Sequence, residues 1–172
     1  ITTHNGYYDD QHNRIPAVNI NDYPAIKDHL DKFLDKLLKR SSKGKTPYNL
    51  QYCISMSEFE KSKIVYPEIT TDASFVIDYN NYILDATCFM MTGEHIEYIS
   101  STLSSKLFKF VFKYIFSGAQ LGNDGYRYKK FALIKLPIKR PIDDNKFLSD
   151  DEIFDLYELS ENEKEYILSK YN

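Results

Sequence analysis

The sequence predicts an α+β fold: a single domain with a central, mainly antiparallel sheet, a long N-terminal helix, a long middle helix and C-terminal helices. Three observations carry that prediction. Apolar residues recur at three- and four-residue spacing over 26–38 and again over 96–115, short β-branched and aromatic runs lie between them, and a helix-capping pattern stands near the C-terminus. The chain has 172 residues, 42% of them apolar, which suits one core and is short for two full domains. Its 15 Tyr and 11 Phe argue against disorder, which goes with aromatic-poor chains.

Residues 1–21 read as a lead-in and 22–172 as the domain proper. Asp22 before Tyr23-Pro24 offers a cap, with Pro in the first turn where its missing N–H does no harm. Ile26, Leu30, Phe33, Leu34, Leu37 and Leu38 then form one stripe, so a single helix is expected to run to Arg40. Ser41 to Pro47 is loop by composition. Ser57-Glu58-Phe59-Glu60 suggests a short helical turn, and Lys63–Tyr66, Ser74–Tyr79 and Tyr82–Met91 read as strands. Asn80-Asn81 would join the last two as a hairpin, since Asn tolerates positive φ.

After Gly93, the spacing of Ile96, Ile99, Leu103, Leu107, Phe110, Val111, Tyr114 and Ile115 predicts a long helix with a break near Ser104-Ser105. Lys106, Lys109 and Lys113 share one of its faces. Ser117 to Gly125 reads as a flexible loop, and Phe131–Leu136 as an apolar stretch ended by Pro137. An acidic helix from about Asp150 and a capping box, Ser160-x-x-Glu163, complete the pattern.

Several function classes are excluded at this level. No glycine-rich phosphate loop, His-Glu-x-x-His, Gly-x-Ser-x-Gly or Cys-x-x-Cys occurs. The four histidines, His4, His12, His29 and His95, are scattered and read as structural. Cys53 and Cys88 make no metal-type spacing and no disulfide framework, which fits a reducing, intracellular setting. The most apolar segment, 103–116, is interrupted by lysines and falls short of the about 20 residues of a membrane span. Asp144-x-Lys146 is the nearest approach to a nuclease site and reads as chance. The start at Ile1, with no signal-like leader, suggests a piece of something longer.

The net charge of −3 hides blocks of opposite sign. Residues 23–64 carry +4 and 106–140 carry +8, whereas 65–105 contain no Lys or Arg and carry −6, and 141–172 carry −7. Both positive blocks mix cations with aromatic rings, in Lys43-Gly44-Lys45-Thr46-Pro47-Tyr48 and in Gly125-Tyr126-Arg127-Tyr128-Lys129-Lys130. Lys43, Lys45, Lys129 and Lys130 suit phosphates, and Tyr48, Tyr126, Arg127 and Tyr128 suit bases. Arg127 is the best base reader, because a guanidinium bonds both acceptors of a guanine in the major groove. The bland alternative is a pair of solvated basic loops whose tyrosines pack on the sheet.

An ordered set of motifs carries a resemblance. Asp22-Tyr23-Pro24-Ala25-Ile26-Lys27-x-His29-Leu30, Lys43-x-Lys45-Thr46-Pro47-Tyr48-Asn49-Leu50, Phe59-Glu60-Lys61-x-Lys63-Ile64-Val65 and Thr92-Gly93-x-x-x-x-Tyr98 come first. Leu103-x-Ser105-Lys106, Gly125-Tyr126-Arg127-Tyr128-Lys129-Lys130 and Leu136-Pro137-Ile138 come after them. Together they resemble the TaqI-like C-terminal specificity domain, from about Asp22 to Tyr171. Ser104 stands where that family often has Asn, and Tyr66 where Trp is common.

The resemblance implies the target-recognition domain of a bacterial adenine-N6 DNA methyltransferase or fused type II restriction-modification enzyme. It adds Lys106 to the DNA-binding candidates and implies double-stranded DNA and an upstream methyltransferase domain of the same chain as partners, in the bacterial cytoplasm. The parent would use S-adenosylmethionine, and Mg2+ if it also cleaves DNA; the chain itself, with no Asn-Pro-Pro-Tyr-type motif, would hold no cofactor, no metal and no catalytic residue. A protein-interaction or scaffolding module built on the acidic tail and long helix is the alternative from another class. An independent nuclease using Asp144 and Lys146 is a third.

Overall fold

The computed structural model describes residues 2–9, 11–51, 57–72, 74–115, 120–121, 125–141 and 146–171. Cys53, Asp144 and most of the expected loop 117–124 lie outside them. The fold is α+β, as the periodicities predict. It divides into two compact units, Ile1–Glu60 and Lys61–Asn172.

The first unit opens with a small antiparallel hairpin, β1 (Tyr7–Tyr8) and β2 (Arg14–Ile15), with Tyr8 opposite Arg14. Asp9 holds its turn by accepting from the N–H groups of Gln11 and Asn13. A 3-10 turn, Ile20–Asp22, leads into α1 (Pro24–Asp31) and α2 (Leu34–Lys39). The expected single helix is therefore two. The Phe33 N–H closes on the Leu30 carbonyl at 2.9 Å and Phe33 leaves helical geometry at φ −116°, ψ 12°. No residue of either helix is fully buried, so no continuous packing seam holds them as one rod. Asp22 does not cap α1: Asn19 captures its carboxylate one turn earlier, and Tyr23 stands at the cap position without a side-chain bond.

The second unit begins with β3 (Lys63–Pro67), which lies between β5 (Val76–Asp78) and β6 (Cys88–Met91), both antiparallel to it. This overturns the expected hairpin at Asn80-Asn81, since β5 and β6 pair with β3 and not with each other. Asn81 does take positive φ, but the turn belongs to Asp78, whose carboxylate accepts from the N–H groups of Asn80 and Tyr82 and starts the chain across β3. The expected strand from Tyr82 shrinks to Cys88–Met91.

The antiparallel strands are divided among small sheets: beyond Pro67, which pairs with Cys88 at the end of β3, the chain passes to a second three-stranded sheet. There β4 (Ile69–Thr70) pairs with β8 (Gly125–Arg127), which also pairs with β7 (Gln120–Leu121). Glu68 is the joint: its N–H bonds the Thr87 carbonyl and its carbonyl accepts from the Tyr128 N–H.

The long middle helix breaks as expected, into α3 (Ile96–Ser104) and α4 (Lys106–Ile115). Ser105 causes the break and caps α4, donating to the Thr102 carbonyl and accepting from the Phe108 N–H. A one-turn helix, α5 (Lys130–Leu133), comes after β8. The acidic helices α6 (Asp150–Leu156) and α7 (Glu161–Leu168) each start with a complete capping box, on Ser149 and Ser160. Ile64, Tyr66, Phe75, Leu103, Phe108 and Phe112 form one buried cluster with Ile153, Phe154 and Ile167 of these last helices. No helix among the described residues is long and apolar enough to cross a membrane.

Candidate nucleic-acid interface

In the first unit, the basic loop Arg40 to Leu50 has no regular structure and is shaped by polar side chains. Asn49 is buried; its amide donates to the carbonyls of His4 and Val18 at 3.1 and 3.0 Å, and its Oδ1 accepts from Thr46. An Arg40 terminal nitrogen donates to the carbonyls of Asn49 and Pro47. The Lys45 N–H donates to the Asn5 side chain. Gly44 sits where a Cβ would approach the Leu50 carbonyl oxygen to 2.5 Å, so only glycine lets the loop close against itself. Residues 3–18 thus act as the loop's scaffold.

The cations of this loop are not equivalent. Lys43 turns back and donates to the Leu38 carbonyl in the last turn of α2, as a basic residue at a helix C-terminus does. Lys45 is exposed, and its ammonium has no partner among the described residues. The Tyr48 hydroxyl donates to Asp31, which also pairs with Lys27. Those two hydrogen bonds, Lys27's the larger, hold the Asp31 carboxyl below the usual carboxylate range. The same bond to Asp31 pushes the Tyr48 phenol up, so it remains a protonated hydrogen-bond donor.

In the second unit, strand alternation sorts the residues from 126 to 129. Tyr126 and Tyr128 point inward at 6% and 5% exposure, while Arg127 and Lys129 point out. The Tyr128 ring stacks on Phe112 with centroids 4.2 Å apart and meets Phe75 edge-on, and burial pushes its phenol far above the usual range. Tyr126 receives the Lys113 ammonium over its ring at 5.5 Å. Neither ring is at the surface where a base could stack. Arg127 is half-exposed and pairs with Ile69 of β4, and its Nε lies 3.4 Å from the carboxylate of Glu68, the residue before β4. Lys129 and Lys130 are exposed, with no partner among the described residues. Lys106 is set apart from this row: its own N–H and, more distantly, its ammonium are engaged by Asp150 of α6.

Residues 19–138 match the TaqI-like C-terminal specificity domain. The chain belongs to that family. Specificity domains of this family have a DNA-recognition role in restriction-modification enzymes. No curated protein matches the chain. The match covers residues 19–138; α6 and α7 follow it in sequence and share the buried core of the second unit. Both basic segments lie inside the match.

Two features of the specificity domain escaped the sequence reading. Glu68, which engages Arg127, was one acid among six in a segment without cations. Asn49 gave no sign that it is the buried organiser of its loop. The expectation that Tyr126 and Tyr128 meet bases gives way to the bland alternative of tyrosines packed on the sheet, because Tyr-Arg-Tyr-Lys alternates with period two and turns both rings inward.

Proposed function

We propose that this chain recognises duplex DNA sequence-specifically, as the specificity domain of an adenine-N6 DNA methyltransferase or fused restriction-modification enzyme whose catalytic domain lies upstream. Membership of the family supports the DNA role, and the outward row Arg127, Lys129, Lys130 on inward tyrosines supports its place. Lys129, Lys130 and Lys45 neutralise phosphates, and Lys43 joins them by releasing the Leu38 carbonyl. Arg127 reads a base edge. Glu68 steers it through Nε and leaves its terminal nitrogens for the two acceptors of a guanine. Tyr48 contributes a fixed hydroxyl near the bases, whereas Tyr126 and Tyr128 act from beneath, holding β8 flat and rigid. Lys106 adds positive field from α4.

Methyl transfer would be supplied by S-adenosylmethionine in the parent, and Mg2+ would serve if it also cuts. In this reading both groups belong to the parent's other domains. This chain has no Asn-Pro-Pro-Tyr-type motif, and no three His, Cys, Asp or Glu among the described residues could hold a metal ion. Its work is to grip and read while another domain extrudes the adenine.

The test is sequence preference in the full enzyme with Arg127→Ala. Discrimination at one base pair should relax by about 1–3 kcal/mol with the remaining positions unchanged. An unchanged preference would remove Arg127 from the reading role.

A further inference from the structure

We propose that Phe131 of α5 and Ile134 at its C-cap form an apolar wedge that enters the base stack of a duplex held by Lys129, Lys130 and Lys135. This rests on the DNA-binding reading above and adds to it a residue pair and a mode of contact. Phe131 and Ile134 are 57% and 71% exposed on a helix that is otherwise anchored. Ala132, Leu133 and Leu136 are buried, and the N–H groups of Ala132 and Leu133 both bond the Lys129 carbonyl. The two apolar side chains therefore stand on a fixed base, three residues apart and so side by side.

Their surroundings select the occupant. Lys130 directly precedes Phe131 and Lys135 directly follows Ile134, so cations flank the pair along the chain. Lys129, Lys130 and Lys135 have no acidic partner among the described residues. By contrast, Lys106, Lys109, Lys139, Lys146 and Lys164 of the same unit each have one. Free positive charge around a protruding apolar tip complements a polyanion with an apolar interior, which is a base-stacked duplex. The exposed apolar stretch Val76, Tyr79, Tyr82 and Ile83 of this unit, by contrast, lies in the segment without Lys or Arg and has no such complement.

Insertion of the pair at one base step would unstack it and bend the helix, lowering the work of extruding a nearby base. The test uses the full chain and two labelled 30-base-pair duplexes, identical except that one carries a central tandem mismatch that is already unstacked. The wild-type chain should prefer the mismatched duplex by about tenfold, the saving expected when part of the unstacking is already done. Phe131→Ser with Ile134→Ser should abolish that preference while leaving the salt dependence and the near-ultraviolet circular dichroism as they were. Restoring bulk with Phe131→Leu and Ile134→Met should restore it. Salt-dependent binding with the preference intact in the Ser variant would overturn the wedge alone. Absence of salt-dependent binding to either duplex would overturn the DNA reading and the wedge with it.

Discussion

The two basic segments reach the surface by opposite means. Between Arg40 and Leu50 the backbone is held by hydrogen bonds from Asn49, Arg40 and Asn5, beside helices that bury no residue completely. Between Tyr126 and Lys130 it is held by alternate side chains driven into an apolar core. The polar frame spends its own cation, since Lys43 serves as a cap, and leaves Lys45 free. The apolar frame uses only tyrosines, and leaves Arg127, Lys129 and Lys130 facing outward. Rigid presentation of charge is thus less wasteful from a strand with period two than from a clamped loop.

The sharpest way to break the second frame is at Lys63, whose fully buried ammonium lies 2.7 Å from Asp78. Lys63→Ala would leave the Asp78 carboxylate with the N–H groups of Asn80 and Tyr82 but no counter-charge, and should give the largest fall in the midpoint of denaturant unfolding. The pair also sets an acid limit. The hydrogen bond from Lys63 chiefly depresses the Asp78 carboxyl below its ordinary 3.8, so its contribution is present above that value and lost as the pH falls through the folded one.

In the first unit, the matching break is Asn49→Ala. It strands the carbonyls of His4 and Val18 and the Thr46 hydroxyl, and should cost about 1–3 kcal/mol with faster amide exchange at Gly44 and Leu50. Gly44→Ala should loosen the same loop by steric contact with the Leu50 carbonyl, leaving the second unit's exchange unchanged.

How much of this was legible depends on which force shapes each element. The stripe of Ile96, Leu103 and Leu107, the box at Ser160 and the acidic helix from Asp150 are local or periodic signals, and they appear where expected; the box at Ser149 is an addition. The break at Ser105 arises from its side chain bonding its own backbone neighbours. The failures are long-range. Nothing near Asn80-Asn81 tells that β5 and β6 flank β3, and nothing at Phe33 marks the end of α1, where no Gly or Pro intervenes. For the interface, residue type located the basic segments. Which side chains face outward depended on the pleat, and which cations are free depended on partners as distant as Asp72 for Lys109 and Asp150 for Lys106.

The smallest expected effect concerns the helices outside the family match. Glu152 and Glu163 accept from the N–H groups and hydroxyls of Ser149 and Ser160, which holds both carboxyls below their ordinary 4.5. Depressed folded values mean that this support is present above 4.5 and fades as the pH falls through them. Far-ultraviolet circular dichroism should therefore lose a little helix in acid, and Ser149→Ala with Ser160→Ala should flatten that loss.

The central claim is that the apolar-framed row is the stronger grip on DNA, and the salt dependence of duplex binding tests it most directly. Removing both ammonium groups with Lys129→Ala and Lys130→Ala should lower the slope of log K against log salt by about 2, near 0.9 per phosphate contact. Lys43→Ala with Lys45→Ala should lower it less. Equal slopes in wild type and the Lys129, Lys130 variant, or a larger fall from the loop variant, would contradict the account.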